Sequence, residues 1–341
     1  MSGTSPLLLL PVLQADLERV ETALLRSVRT DDPFLTEVAA HLITAGGKRV
    51  RPAFALTSAA TAIATMTHAA DDVVMGAVSV ELVHLGSLYH DDVMDDATTR
   101  RTVDSVNARW GNLTAILAGD YLLAKASEIA ASLGTEVAGL LAATIGRLCE
   151  GQILELRHAF DLGRTEEAYL DSIDGKTASL LGTACRIGGI VAGLPRPQID
   201  ALTTFGSSFG MAFQIVDDLL DVTATDEELG KPAGHDLVEG TYTLPVIRTL
   251  AAGGDRAEEL AGLLRRLAPT DGSIEPVDDP TTLEAARQLL RSSPAVVESL
   301  DVARGYVEAG QQALAPYAGT EAVTALEAAA EHLLGTVRAA G

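Results

Sequence analysis

The sequence predicts an all-α protein, a single large helical domain spanning residues 1–341. Three observations carry this. Apolar residues recur at helical spacing through almost every segment. No run alternates apolar and polar side chains for more than a few residues, and no hairpin signal joins alternating runs. Hydrophobic residues make up 47% of the chain but aromatics only 4%, so Ala, Leu and Val must fill the core; these favour helix, Val least among them.

Leu13, Leu17, Val20, Leu24 and Leu25 form one apolar stripe, with Asp16, Glu18 and Glu21 on the other faces, and predict a first amphipathic helix. Residues 71–90 are apolar nearly all round and predict a buried helix. Segments 114–133, 137–156, 180–192 and 205–220 read the same way. Gly193, Pro195 and Pro197 mark one helix boundary, and Gly230-Lys231-Pro232 opens a loop. Residues 253–294 carry Gly, Pro and Asp clusters between short charged helices, and read as a peripheral, mobile elaboration. No short repeat of solenoid period occurs.

The chain holds 25 Lys and Arg against 47 Asp and Glu, a formal net charge of −22. Nucleic acid and anionic lipid are poor partners for such a surface, since each needs a basic stripe or patch. The apolar run at 6–13 is too short to span a bilayer and no basic residue precedes it. The expectation is a cytoplasmic protein with no signal peptide and no transmembrane segment. Cys149 and Cys185 lie in apolar helical text without metal-ligand spacing, and read as buried free thiols.

Chemistry concentrates in two acidic clusters. Asp91-Asp92-Val93-Met94-Asp95-Asp96 follows the buried helix, and its Asp91 and Asp95 share one helical face, a turn apart. Charges there oppose the helix dipole, so the cluster is either a solvated helix end or a site for a cation. Asp217-Asp218-Leu219-Leu220-Asp221 repeats the spacing at the end of a second apolar helix. Two such clusters facing each other suit Mg²⁺ shared with a substrate's phosphate oxygens. A diphosphate then requires cations. Gly46-Gly47-Lys48-Arg49-Val50-Arg51-Pro52 is a basic turn in an acidic protein, readable as an anion cradle or as a glycine-closed helix end. Arg100 and Arg101, Lys176-Thr177 and Lys231 extend the basic set. His84 alone would be a satisfied core histidine, and His90 keeps that reading.

In this combination, with Gln214 before Asp217-Asp218 and motifs running from Gly46 to Pro245, the sequence resembles the all-trans polyprenyl diphosphate synthases. The resemblance implies an all-α fold of isoprenoid-synthase type around a deep central cavity, usually a homodimer. It implies a prenyltransferase joining isopentenyl diphosphate head-to-tail to an allylic diphosphate, with Mg²⁺, three ions when substrate is bound. Lys48, Arg51, His84 and Arg101 correspond to the isopentenyl diphosphate site. Asp91, Asp95 and Arg100 correspond to the allylic diphosphate and Mg²⁺ site, supported by Asp92, with Asp217, Asp218 and Asp221 holding a further ion. Lys176, Gln214 and Lys231 would grip the allylic diphosphate, and Thr177 would steady the developing cation. The chain departs from many relatives at Thr241 and Tyr242, where a second lysine is usual, so one diphosphate contact is missing or replaced by a hydroxyl.

Five and four residues before Asp91 stand Gly86 and Ser87, roughly 6 to 7.5 Å down the helix. Bulky aromatics there stop the chain early in such enzymes, and Val83, Val80 and Gly76 lie deeper. Small residues at 86 and 87 either leave room for product or allow close helix packing. With room, the product is long, roughly C30–C50 by resemblance, and its release would involve transient membrane contact. The alternatives are a shorter-chain farnesyl or geranylgeranyl diphosphate synthase and a catalytically silent partner subunit. A terpene cyclase fits less well, because two Asp-rich motifs, a second diphosphate site and few aromatics favour elongation.

Overall fold

The computed structural model describes residue 7 and residues 10–229, 233–269, 277 and 279–339. Helix α1 (Pro11–Ser27) realises the first amphipathic stripe, burying Leu13, Val20 and Leu24. Helix α2 (Pro33–Thr44) opens on Asp32, whose carboxylate accepts from the Phe34 amide at 2.9 Å and the Leu35 amide at 3.4 Å. A short turn leads to α3 (Val50–Ala59) and then to the long α4 (Asp71–Met94), buried on all sides along most of its length as its composition requires.

After α4 comes a feature the sequence did not signal, a two-stranded antiparallel hairpin of β1 (Thr99–Arg100) and β2 (Val103–Asp104). Its turn residues Arg101 and Thr102 have φ of 52° and 67° without Gly or Asn. Helices α5 (Val106–Trp110), α6 (Asn112–Ser132) and α7 (Thr135–Arg157) follow. Next are α8 (Glu166–Ile173), a π-helical turn at Asp174–Ala178, α9 (Ser179–Val191) and α10 (Arg196–Thr223). The short α11 (Asp226–Leu229) and α12 (His235–Glu239) precede α13 (Leu244–Ala251), α14 (Gly254–Leu267), α15 (Pro280–Arg291), α16 (Pro294–Leu314) and α17 (Glu321–Ala339).

The main core is built around α4 and α10. Helix α4 is sheathed by α3, α6 and α9, while α10 runs along α9 and α16. By length and composition alone α4 and α7 would each cross a membrane, but α4 is a core helix. Helix α7 differs from expectation, as does part of α6. Leu113, Ile116 and Leu117 on α6 and Ile153 and Leu156 on α7 are exposed, and so is Cys149, whereas Cys185 is buried. Helical periodicity identified an apolar face here, and that face meets solvent rather than this chain's core.

The segment read as peripheral contributes to a smaller core of its own. Leu260, Leu263 and Leu264 of α14 and Ala286 and Leu290 of α15 form a second apolar core with Val222, Leu237, Tyr242 and Val246. The Gly, Pro and Asp cluster at 268–280 had obscured two amphipathic helices flanking it. Leu290 is fully buried. Leu290→Ala is therefore expected to lower the free energy of unfolding by about 2–5 kcal/mol. Denaturant titration checks this, and a neutral effect would contradict the packing of Leu290 in that core.

Candidate active site

Both acidic clusters close their helices, Asp91 and Asp92 in the last turn of α4 with Asp95 as its C-cap, and Asp217, Asp218 and Asp221 near the end of α10. Carboxylates at a negative helix end make the local potential more negative still. Burial pushes the Asp91 carboxyl up against the opposing pull of Lys176 and Arg100. Burial and then Glu239 push Asp95 up to about 6.

The structure divides each cluster. Asp92 is fully buried, and Arg100 Nε donates to its Oδ1 at 2.6 Å while Nη2 pairs with the same oxygen at 2.6 Å. Asp218 is buried and accepts from Tyr169 Oη at 2.6 Å and from Gln214 Nε2 at 2.7 Å. Asp221 is buried and accepts the Asp236 amide at 3.2 Å. Three of the six aspartates read as Mg²⁺ ligands are thus turned to protein groups. Successive helical residues point about 100° apart, so Asp91-Asp92 and Asp217-Asp218 cannot each share one opening. Asp221 does share a face with Asp217, but the returning segment at 234–236 covers it. Asp91 is half-buried, and Asp95 and Asp217 are exposed. These three are hard oxygen donors, and two of them are short of compensating positive charge. They fit Mg²⁺ that completes its shell with phosphate oxygens. Among the described residues no three acidic, His or Cys side chains converge into a ready-made cage.

The basic turn lies on the other side of the site. Arg49 is buried and acts as its anchor: Nη1 donates to Glu81 Oε1 at 2.9 Å, Nη2 to Glu21 Oε2 at 3.1 Å and to the Ile43 carbonyl at 3.0 Å. Arg101 donates to the carbonyls of Leu42, at 3.0 Å, and Gly46. Gly47 takes a φ of 149°, which side chains rarely adopt, and a Cβ there would come within 2.7 Å of that guanidinium. Lys48 is exposed; burial pulls its pKa down while Asp217 opposes the shift, so the basic turn looks toward the second acidic cluster. Burial, then Arg51 and Arg101, hold the His84 ring well below the usual imidazole range, so it is neutral near pH 7.

Lys176 and Thr177 are displayed by the π-helical turn. A Cβ on Gly151 would lie 2.5 Å from the Lys176 amide nitrogen, so α7 packs directly against this turn. Lys176 Nζ donates to Glu155 Oε1 at 2.6 Å. Burial lowers its pKa, but Glu155 and then Asp91 outweigh that, leaving it raised and the ammonium charged. Thr177 Oγ1 donates to Gln214 Oε1 at 2.8 Å, which continues the chain to Asp218 and Tyr169. Lys231 lies outside the described residues.

Four supporting residues escaped the sequence reading: Arg49, Glu81, Glu155 and Tyr169. Glu81 had a signal, being the single charge inside the apolar run 73–90, where a lone carboxylate demands partners. The pair at 86 and 87 separates. Ser87 is half-buried, its hydroxyl donating to the His84 carbonyl at 2.9 Å. Gly86 instead faces α6, where an added Cβ would come within 3.1 Å of the Gly119 carbonyl oxygen and of Leu123. Val80 and Val83 are fully buried, and Gly76 packs on Ile187. These positions below Ser87 are core contacts. Tyr242 is buried in the second core, so only Thr241 remains to offer a hydroxyl in place of the missing lysine.

The polyprenyl synthetase family model matches residues 32–277. The nonaprenyl diphosphate synthase of Mycobacterium tuberculosis is 40% identical over 303 residues, 89% of this chain and 87% of that protein. The heptaprenyl diphosphate synthase component 2 of Geobacillus stearothermophilus is 43% identical over 243 residues, 70% of this chain and 74% of that protein. The polyprenyl synthase of Caulobacter crescentus, solved with calcium and isoprenyl diphosphate, superposes with a TM-score of 0.86 at 31% identity, covering 98% of this chain and 99% of that one.

Burial pushes the Asp218 carboxyl up to about 7 from 3.8. Folding takes up a proton there, so the group's contribution to stability is present below 3.8 and is lost as pH climbs to about 7. The melting temperature of the metal-free wild type is therefore expected to fall relative to that of Asp218→Asn as pH rises from about 4 to about 8. A constant difference in thermal melts across this range would contradict the burial argument.

Proposed function

The chain belongs to the polyprenyl synthetase family, and from that premise we propose how its residues divide the work of a Mg²⁺-dependent prenyltransferase. It condenses isopentenyl diphosphate head-to-tail with an allylic diphosphate to give a long-chain all-trans polyprenyl diphosphate. One observation carries the assignment of roles: two unlike anion sites adjoin on α4. Around Glu81 and His84 gather Arg49, Arg51 and Arg101. Two to four turns further along, Lys176 stands among Asp91, Asp95 and Glu155.

The first site is cationic enough to hold a diphosphate directly, and Lys48, Arg51 and Arg101 take that of isopentenyl diphosphate. The neutral His84 adds a hydrogen bond without further charge. The second site is acidic and takes a diphosphate only with divalent metal, for which Asp91, Asp95 and Asp217 are the ligands. Bound Mg²⁺ supplies the charge that stabilises a departing diphosphate. Lys176 holds the same leaving group, joined by Lys231, and Arg100 is kept beside it by Asp92. The allylic C–O bond breaks with its electron pair leaving on the diphosphate. The isopentenyl double bond then attacks the allylic carbon, and loss of a proton to the released diphosphate restores an alkene. Thr177, its hydroxyl proton committed to Gln214, turns oxygen lone pairs toward the developing cation. Gln214 acts by orienting Thr177.

The purified chain with Mg²⁺, isopentenyl diphosphate and farnesyl or geranylgeranyl diphosphate is expected to release diphosphate and form products of roughly C30–C50. No turnover by the chain alone would favour the silent-subunit reading. Ser87→Phe is expected to shorten the product, and an unchanged distribution on chain-length chromatography would remove Ser87 from length control.

We further propose a cytoplasmic homodimer joined through α6 and α7. Leu113 and Leu117 are 80% and 67% exposed on α6, and Ile153 is 56% exposed on α7, an apolar face of the kind that marks an interface. One relative is named as a component of a larger synthase, which makes a second polypeptide the other occupant to test. Sedimentation of the wild type should give a dimer and of Leu117→Glu a monomer. A monomeric wild type would point to an absent partner chain.

A further inference from the structure

Helix α15 begins at Pro280, beyond residue 277 where the family match ends, yet it touches the element that carries the second acidic cluster. Arg287 is 7% exposed, and its Nη2 donates to the Ala224 carbonyl at 2.5 Å. One turn on, Arg291 Nε donates to the Val222 carbonyl at 3.1 Å. Both acceptors belong to the end of α10, where backbone carbonyls lack helical partners. The two cations sit four residues apart, a spacing that repels on a helix surface. Glu284 braces them, accepting from Arg287 Nη1 at 3.1 Å and Arg291 Nη1 at 3.2 Å.

The Arg287 stem also covers the return of the chain. A Cβ on Gly234 would lie 2.7 Å from Arg287 Cδ. The Gly234 amide donates to the Asp221 carbonyl at 2.8 Å, and the Asp236 amide to Asp221 Oδ2 at 3.2 Å. Arg287 thus closes a stack in which the end of α10, Asp221 and segment 234–236 are held as one unit, one turn from Asp217.

We propose that Arg287 and Arg291 are positioning residues that clamp the end of α10, fixing Asp217 and the 233–239 segment for Mg²⁺ and the allylic diphosphate. This rests on the prenyltransferase reading for its consequence, and on the geometry of α15 for the clamp itself. Two cations applied to the negative end of a helix bearing three aspartates lower the cost of holding that charge before metal arrives. Second contacts of this kind tune metal affinity without touching the ion.

The test is hydrogen–deuterium exchange of the metal-free full chain, paired with steady-state kinetics. Arg287→Met is expected to speed exchange of the Gly234 and Asp236–Val238 amides about tenfold, the loss of one charge-assisted hydrogen bond, with α4 amides unchanged. Half-saturating Mg²⁺ and the KM for allylic diphosphate should rise about tenfold, with the KM for isopentenyl diphosphate unchanged and Arg287→Lys intermediate. If Arg287→Met does not fold, Arg291→Met carries the same measurements, since its side chain is 33% exposed. Exchange that is unchanged, or that rises equally in α4, overturns the clamp, as does a lowered melting temperature with an unaltered Mg²⁺ dependence. A wild type without activity on both diphosphates would instead defeat the prenyltransferase reading, whatever the exchange shows.

Discussion

The organisation of this molecule follows from one electrostatic constraint: two long buried helices, α4 and α10, end in aspartates at the pole where their own dipoles are negative. Each carboxylate left there must find a cation, a hydrogen-bond donor or water. Arg100 meets Asp92, Tyr169 and Gln214 meet Asp218, and the 234–236 segment meets Asp221. Asp91 and Asp95 keep raised carboxyls, a demand for positive charge that a bound metal is proposed to meet.

The same logic operates with reversed sign three to four turns back along α4. Glu81 is the counterion that allows Arg49, Arg51 and Arg101 to gather in a half-buried place. Burial raises its carboxyl despite three guanidiniums, so its charge is costly even there, and removing any one partner would leave another uncompensated. The hairpin turn belongs to this arrangement. Positive φ at Arg101 and Thr102 is strained backbone, offset by the bonds Arg101 makes to Leu42 and Gly46.

Much of this was legible beforehand. The run at 71–90 could only be a buried helix, and paired Asp spacing with a basic turn located the chemistry. Motif spacing gives the face on which a side chain starts, however, not what covers that face. Asp221 shares a face with Asp217 and still ends under residues thirteen and fifteen positions later in the chain. The hairpin was invisible because its turn is enforced by tertiary bonds on an arginine side chain, not by local turn residues. Periodicity likewise reported an apolar face on α6 and α7 without saying whose atoms it would meet. At 253–294, loop-forming composition outweighed the regular leucines of α14 and α15.

The π-helical turn at Asp174–Ala178 has one more consequence. A wide turn inserts a residue into an otherwise continuous helical stretch, so α8 and α9 run out of phase with each other. Tyr169 and Ser172 on one side and Leu180, Ala184 and Cys185 on the other can then each face the interior. Lys176 and Thr177 lie within the turn that absorbs this phase slip. The two side chains proposed to hold the leaving group and steady the cation thus stand where the backbone departs from α-helical regularity.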